Sequence, residues 1–303
     1  MLRNFRLQPK RLVVAVILVS AAVTFGCESK INQPYSDTRE VTDDLGRTVS
    51  VPNRIERAIS LAPNLTEMIF AVGAGGKLAG VTTFCNYPVE AQQIRKVSDT
   101  QTPNIESIIA LKPDIVFIST ASQLETFMQT LEAQKIAVYV TNPQNVDEII
   151  GNLRQFGTLF QSEGKAETLI SELFRRIGEI GRKVDGQEKV RIFVQISNEP
   201  LFTIGSESFL TEIIERSGGV SVTKDVATAY PKLSKETALA LNPEAIILSD
   251  SDDNKEPNYV FKNSPAFRNG KIFRINADMI SRPGPRLVDA MEQLATALHP
   301  EKF

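Results

Sequence analysis

The amino-acid sequence predicts an α/β fold of two similar lobes, each with a central and mostly parallel sheet, joined by one long helix. Three observations predict this fold. Short apolar runs alternate with helical patterns, one unit of sequence occurs twice, and a long amphipathic stretch separates the two copies. A chain of 303 residues is long enough for two domains of ordinary size.

Seven short apolar runs are the candidate strands of the two sheets. They are residues 58–61, 78–84, 115–119, 137–141, 192–196, 245–248 and 272–275. Helical patterns lie between them, and Asn64 and Ser122 stand where helices would start, each with a glutamate three residues later. Strands that alternate with helices favour parallel sheets. Ahead of them, residues 44–47 predict a turn between two short strands.

An internal repeat is the most informative feature of the chain. Residues 105–119 match residues 235–249 without a gap, at an offset of 130. A second match, at an offset of 145, pairs residues 65–69 with residues 210–214. Each copy of the longer unit predicts a helix that ends at a proline turn and is followed by an apolar strand.

A long helical stripe lies between the two copies, over residues 162–184. Its apolar residues are spaced by three and four positions, which is typical of one buried helix face. We therefore predict an N-terminal lobe over 41–160, a linking helix over 161–186 and a C-terminal lobe over 187–303. The alternative is that this stretch is a core helix of the second lobe. A continuous linking helix predicts small relative motion of the lobes, because bending it breaks backbone hydrogen bonds.

The first 26 residues have the pattern of a lipoprotein-type signal peptide. Four basic residues precede an apolar stretch of 14 residues, 12–25, which is too short for an ordinary membrane span. Gly26 and Cys27 resemble a lipoprotein cleavage site, which would make Cys27 the lipidated first residue of an exported, membrane-anchored protein at the cell surface or in the periplasm. An ordinary signal peptide is the alternative. Polar residues 27–40 predict a flexible tether.

Composition excludes several classes of function. The one histidine, His299, is four residues from the C-terminus, and the chain has two cysteines and no tryptophan. Sites with several histidines, cysteine-rich zinc sites and iron–sulfur clusters are therefore excluded, and we predict no metal site and no cofactor. Without residues 1–26 the chain has 30 basic and 36 acidic residues, which gives no reason to expect nucleic acid.

Motifs that resemble catalytic ones are incomplete. Residues 73–78 lack the first glycine of a phosphate-binding loop and have Leu78 where a hydroxyl residue would bind magnesium. Ser162 and Ser221 begin Ser-x-x-Lys matches, but no partner motif accompanies them. We expect no catalysis.

The repeat places Glu106 and Glu236 at equivalent positions, in the first turn of matching helices. An acidic residue there stabilises the helix dipole by about 0.3–1 kcal/mol, which explains either residue alone. The alternative is that the two glutamates dock onto basic sockets of a two-fold symmetric partner. The residues leave both interpretations open.

Aromatic and polar residues follow the candidate strands, where α/β sheets bind ligands. They are Phe84, Asn86 and Tyr87 in the first lobe, and Asn198, Phe202 and Tyr230 in the second. Arg282 precedes the last helix and is a candidate to pair with a ligand carboxylate or phosphate. Core packing of the aromatic rings and a surface ion pair of Arg282 are the alternatives.

Five segments together resemble the iron-siderophore and vitamin B12 class of ABC-importer substrate-binding proteins. They are DLGRTV at 44–49, RAISLAPNLTE at 57–67, GVTTFCNYP at 80–88, NIESIIALKPD at 104–114 and SRPGPR at 281–286. The resemblance covers residues 41–300. It implies a ligand cleft between two lobes, no catalysis, and a monomer that delivers a metal chelate to a permease dimer, with Glu106 and Glu236 docking onto permease arginines.

Within that class the chain is most similar to the cobalamin-binding branch, through residues 84–88 and YPKLSKE at 230–236. The resemblance implies a corrinoid cargo, ring contacts from Phe84, Tyr87, Phe202 and Tyr230, and polar contacts from Asn86, Asn198 and Arg282. The chain departs from that branch because it lacks the tryptophans expected around the corrin. A ferric siderophore or haem therefore stays an alternative cargo, and a module that reports ligand to a membrane sensor stays an alternative role.

Overall fold

A β-hairpin opens the computed structural model, which describes residues 37–99, 104–120 and 125–303. Its strands are β1 (Thr38–Thr42) and β2 (Thr48–Pro52), antiparallel around the predicted turn. The ladder pairs Thr38 with Pro52, so β1 takes in the last three residues of the segment predicted as a tether. β1 starts before the predicted end of the tether because β2 extends to Pro52, and Thr38 of β1 pairs with Pro52 in the antiparallel ladder.

The first sheet has five parallel strands in the order β5-β4-β3-β6-β7. The strands are β3 (Ala58–Ser60), β4 (Leu78–Thr82), β5 (Lys96–Ser98), β6 (Ile115–Ser119) and β7 (Ala137–Thr141). The helices among them are α1 (Pro63–Ala71), α2 (Ile105–Ala110) and α3 (Glu125–Ala133), with 3₁₀ turns at Gly75–Lys77 and Val89–Gln93.

Two consecutive helices connect the sheets, α4 (Val146–Leu159) and α5 (Glu163–Val184). The 22 residues of α5 lie within the predicted linking helix, and its buried face carries Ala166, Ile170, Leu173 and Ile180. Arg176 of α5 pairs with two acidic residues near the C-terminus, Asp289 at 2.6 Å and Glu292 at 2.7 Å. None of the helices described between residues 37 and 303 combines the length and apolar composition that a bilayer span requires.

The second sheet has four parallel strands in the order β11-β10-β8-β9. The strands are β8 (Val190–Gln195), β9 (Gly219–Ser221), β10 (Ala245–Asp250) and β11 (Ile272–Asn276). The helices are α6 (Phe209–Arg216), α7 (Lys235–Leu241), α8 (Pro265–Arg268), α9 (Ala277–Ile280) and α10 (Leu287–Leu298), with 3₁₀ turns at Tyr259–Phe261 and Pro300–Lys302. The chain therefore has the predicted α/β fold with two parallel sheets.

The sequence repeat corresponds to a repeated structural unit. Residues 105–119 form α2 and β6, and residues 235–249 form α7 and the start of β10. Both helices begin with a side-chain cap: the Ser107 N–H donates to Asn104 Oδ1, and the Thr237 N–H donates to Ser234 Oγ. The shorter repeat lies in α1 and α6.

The largest apolar core runs through both sheets and the helices between them. It includes Phe117 and Phe156, whose ring centroids are 4.9 Å apart, together with Leu173 of α5 and Ile247 of β10. Two smaller clusters cover the outer faces of the sheets, one in each lobe. The lobes therefore share one core while each keeps a layer of its own.

One predicted helix start is wrong. The helix α1 begins at Pro63, its N-cap is the extended residue Ala62, and no side chain caps it. Proline suits the first helical position because it has no N–H to leave unpaired. Asn64 and Glu67 therefore lie inside the helix, and both are buried. Ser122, the other predicted start, lies outside the described residues.

Candidate functional site

The carboxyl ends of the two sheets meet at a pair of loops. The loop after β4 carries residues 83–88, and the segment after β11 carries α9 and residues 281–286. These segments touch through Asn86, whose Nδ2 donates to Asp278 Oδ2 at 2.7 Å. Arg282 Nη1 in turn donates to Asn86 Oδ1 at 2.8 Å. The carboxyl edge of a parallel sheet is where α/β folds bind ligands, and here two such edges lie together.

Glu67 is the buried centre of this junction. Its carboxylate accepts from Arg282 Nη1 at 2.8 Å, from Arg286 Nε at 2.8 Å and from Arg286 Nη2 at 2.6 Å. Only 1% of its side chain is exposed, against 12% of the Arg282 side chain. Arg282 also pairs with Asp278 at 2.6 Å. We call Glu67, Asp278, Arg282 and Arg286 the inter-lobe ion cluster, because helix α1 of the first lobe supplies one member and the second lobe supplies three.

Arg286 also stacks over an aromatic ring of the first lobe. Its guanidinium carbon lies 4.2 Å from the centroid of the Tyr87 ring, within the range of a cation–π contact. Burial opposes the charge of Arg286, but the hydrogen bonds to Glu67 and the nearby carboxylates outweigh it and raise the pKa of Arg286. Arg286 is therefore charged at any physiological pH and holds Tyr87 in place.

The predicted ligand residue Arg282 has its guanidinium engaged within the protein. Its partners are Glu67, Asp278 and Asn86, and Nη2 also lies 3.4 Å from the backbone oxygen of Phe84. The ion pair weighed as an alternative is therefore present, although it lies between the lobes and not on the open surface. Contact of Arg282 with a ligand stays a prediction.

The predicted aromatic residues differ in their exposure. Phe84 and Tyr87 are exposed in the first lobe, and Tyr230 is exposed in the second. Phe202 is half-buried and forms isolated bridges to Ser197 and Lys232, which join the loop after β8 to the segment after β9. Arg286 covers one face of the Tyr87 ring, and Phe202 has a structural role in its own lobe. Contact of these rings with a ligand stays a prediction.

Asn198 is bound within the second lobe. Its backbone oxygen and Oδ1 accept from Asn258 Nδ2 at 3.0 and 2.8 Å, and its Nδ2 donates to the backbone oxygen of Glu256 at 3.1 Å. Buried Gln195 extends this network to Asn254 and to the Asn258 N–H. The network fixes the loops after β8 and β10 and engages both polar atoms of the Asn198 amide. Contact of Asn198 with a ligand stays a prediction.

Glu106 and Glu236 are exposed in the first turns of α2 and α7. The Glu236 N–H and the Ser234 hydroxyl lower the pKa of Glu236 and keep it ionised. Each helix precedes a parallel strand of its sheet, so its first turn lies at the carboxyl edge. Both glutamates are therefore at the edges that meet at the inter-lobe ion cluster.

The described residues contain no group of three or more His, Cys, Asp or Glu side chains arranged to hold a metal ion. Cys85 is buried, and the hydroxyls of Thr66 and Thr82 lie 3.1 and 3.2 Å from its sulfur. Cys27, the predicted lipidation site, lies outside the described residues.

Three members of the inter-lobe ion cluster, Glu67, Asp278 and Arg286, are not among the predicted site residues. The sequence pattern places Glu67 at a helix start and gives no role to Asp278. The available signal for Asp278 was its position four residues before Arg282, a spacing at which opposite charges pair. Glu67 gave no such signal, because its partners are more than 200 positions away in sequence.

Comparison with known protein families matches residues 59–279 to the family described as "Periplasmic binding protein". An uncharacterized ABC transporter substrate-binding lipoprotein, YvrC, of Bacillus subtilis is 26% identical over 95% of this chain and 97% of its own length. A vitamin B12-binding protein of Vibrio parahaemolyticus is 32% identical over 78% of this chain and 87% of its own. The crystal structure of the periplasmic vitamin B12 binding protein BtuF of Vibrio cholerae aligns with a TM-score of 0.72 at 28% identity, over 82% of this chain and 98% of that one.

Proposed function

Because the chain belongs to the periplasmic binding protein family, we propose that it is the substrate-binding component of an ABC importer and carries a corrinoid to a membrane permease. The observation that carries the cargo proposal is the pair of exposed rings, Phe84 and Tyr87, in the loop where the carboxyl edges of two parallel sheets meet. Tyr230 is a third exposed ring, in the second lobe. The names of the vitamin B12-binding relatives support the same ligand class.

The exposed rings suit a large flat ligand. Aromatic faces bury apolar area with little loss of side-chain entropy and tolerate variation at the ligand's edge. The hydrogen-bonding groups of Asn86 and Asp278 lie beside them and suit the polar groups around a macrocycle. The protein needs no side chain that coordinates a metal, because the metal of a corrinoid is already held by the macrocycle.

The proposal extends to the membrane. We place the tether and the lipidated Cys27 at the N-terminus, the lobes over 41–160 and 187–303, and the linking helix over 161–186. Glu106 and Glu236 contact the permease dimer, one glutamate to each half. The protein acts as a monomer in which the two lobes supply equivalent docking positions.

Retention of coloured ligands tests the cargo. Residues 28–303 would be incubated separately with cyanocobalamin, a ferric hydroxamate and haemin, desalted, and examined by visible absorption. We expect cyanocobalamin to be retained at about one per chain. Retention of only the ferric hydroxamate or haemin would keep the transport role and move the cargo to iron, an alternative that the lack of tryptophan leaves open. Retention of none would contradict the proposed function.

Truncation of an exposed ring tests how the ligand is held. Phe84→Ala is expected to weaken cyanocobalamin binding about tenfold, since one aromatic contact contributes roughly 0.5–1.5 kcal/mol beyond its buried area. Phe84 is 54% exposed, so its loss should leave the unfolding temperature unchanged. The matched control is Phe174→Ala, at a ring on α5 that is 46% exposed. The affinity of each variant for cyanocobalamin is measured by titration, followed by the change in the ligand's visible absorption. Equal affinities for the two variants would contradict ring contact at Phe84.

A further inference from the structure

A groove at the end of β7 is lined by acidic and amide side chains. It has a volume of about 870 Å³ and lies among the hairpin turn after β1, the segment after β7, and helices α4 and α6. No lysine or arginine lines it among the described residues, and none of the residues predicted to contact the cargo belongs to it. Its four acids are Asp44, Asp147, Glu148 and Glu212.

Two of these acids, Asp44 and Glu148, have no cationic partner within the described part of the chain. Arg216 pairs with the other two, with Glu212 at 2.6 Å and with Asp147 at 3.5 Å. Asp44 and Glu148 are held by backbone N–H groups, which carry no charge, at 2.8 and 2.7 Å. An ionised carboxylate offers about four acceptor sites, so each of the two can accept a further, charged donor.

Three amide side chains of the groove have their nitrogens committed within the protein. Asn152 Nδ2 donates to both oxygens of Asp44, at 3.0 and 2.9 Å, and Asn145 Nδ2 donates to Glu148 Oε1 at 2.8 Å. Gln144 Nε2 donates to a backbone oxygen at 3.0 Å. The groove therefore presents acceptor oxygens and negative charge to a ligand.

Asn152 has an acceptor without a partner. The residue is 3% exposed and lines the groove, but its Oδ1 has no hydrogen-bond partner among the residues that the structure describes. The bonds from Nδ2 to Asp44 fix which side of the amide carries the oxygen. A buried acceptor that is left unsatisfied destabilises the protein, and a ligand donor beside Asp44 would satisfy it.

The spacing of the two carboxylates indicates the kind of cation. The backbone N–H groups that hold Asp44 and Glu148 belong to Asn142 and Gln144, two residues apart. Two residues of extended chain span at most about 7 Å, which sets the order of the distance between the carboxylates. Across the described ranges no acids are grouped around a single metal ion. Two separate ammonium groups suit this arrangement, because each has three donors and no acceptor.

We propose that this groove is a binding site for an aliphatic diamine. One ammonium group binds Asp44 and Asn152 Oδ1, and the other binds Glu148. The lysine side chains of a peptide carry the same ammonium chemistry, but the two carboxylates lie close enough for both charges of one short molecule. This site goes beyond the proposed function and does not depend on it.

The experiment is calorimetric titration of the full chain at low ionic strength. The probe is 1,4-diaminobutane, whose nitrogens lie about 6 Å apart when its chain is extended. Butylamine, with one ammonium group, trilysine and calcium chloride are the comparison ligands. Asp44→Asn and Glu148→Gln each remove one negative charge from the groove. The matched control is Glu188→Gln, at an exposed acid ahead of β8.

We expect about one diaminobutane per chain, bound about tenfold more tightly than butylamine, because the second ammonium group adds charge-assisted hydrogen bonds. Asp44→Asn and Glu148→Gln should each weaken diaminobutane about tenfold, and Glu188→Gln should leave its affinity unchanged. Salt should weaken binding, because it screens charges at an open groove. Should Asp44→Asn unfold, as judged by circular dichroism, Glu148→Gln decides, since Glu148 is exposed.

Three results would overturn the proposal. They are equal affinities for diaminobutane and butylamine, equal affinities of Glu148→Gln and Glu188→Gln for diaminobutane, and tighter binding of trilysine or calcium than of the diamine. Absence of any heat of binding would overturn it as well. None of these results bears on the cargo, which the retention of coloured ligands tests separately.

Discussion

Glu67→Gln is expected to lower the free energy of unfolding by about 3 kcal/mol, since removal of one partner of a buried ion pair leaves the other partner's charge uncompensated. Glu67 accepts three hydrogen bonds from Arg282 and Arg286, and its side chain is 1% exposed. Glutamine keeps the volume but brings no charge and presents an N–H₂ group where an acceptor stood. Urea unfolding followed by far-ultraviolet circular dichroism measures the change.

An exposed glutamate supplies the control for this loss. Glu172→Gln removes an acid that pairs with Arg175 on the surface of α5. Such surface pairs contribute about 0–1 kcal/mol, so this variant should unfold at nearly the original urea concentration. If Glu67→Gln is no less stable than Glu172→Gln, the inter-lobe ion cluster does not hold the lobes together.

Charge reversal at both Glu106 and Glu236 is expected to reduce ligand uptake in cells by at least roughly tenfold while ligand binding in solution is unchanged. Both glutamates are exposed, so lysine at each position leaves the core intact. Lysine would face the basic sockets proposed for the permease, and juxtaposed like charges oppose docking. Uptake of labelled cyanocobalamin by cells that depend on this chain and its permease measures the effect.

The matched control reverses two exposed acids at the other end of the second lobe. Glu188 precedes β8, and Glu215 lies in the last turn of α6, just before β9, so both are near the amino ends of strands. Glu188→Lys with Glu215→Lys changes the net charge as much as the docking variant does, and uptake should persist. Undiminished uptake by Glu106→Lys with Glu236→Lys would contradict docking through these glutamates.

The sequence was sufficient to predict elements that bury a regular pattern over several residues. All seven predicted strands are present, and the long helix lies where its spacing of apolar residues placed it. The strands β5 and β9 were missed, because each has three residues and β5 has a single buried one, Val97. Three residues carry too little periodicity to distinguish an edge strand from a loop.

The candidate site was predictable only in part, for a physical reason. Position after a strand and residue type together single out Phe84 and Tyr87, which are exposed in the structure, and their contact with a ligand stays a prediction. The partners of Arg282 were not predictable, because Glu67 lies 215 positions away and only the fold brings the two side chains together. The alternative of an ion pair was weighed for Arg282, but sequence gave no means to name its partner or to place it between the lobes.

The continuous core couples the folding of the two sequence repeats. Buried side chains of both sheets and of α5 belong to one cluster, so the limit between the two repeats is not a limit between folding units. A cut after residue 186 would leave Ile170, Leu173 and Ile180 facing water, at a cost of roughly 1.5–3 kcal/mol for each large apolar side chain. Losses of that size are a large share of the roughly 5–15 kcal/mol by which an ordinary domain is stable. The two halves repeat one design, but they share one buried core.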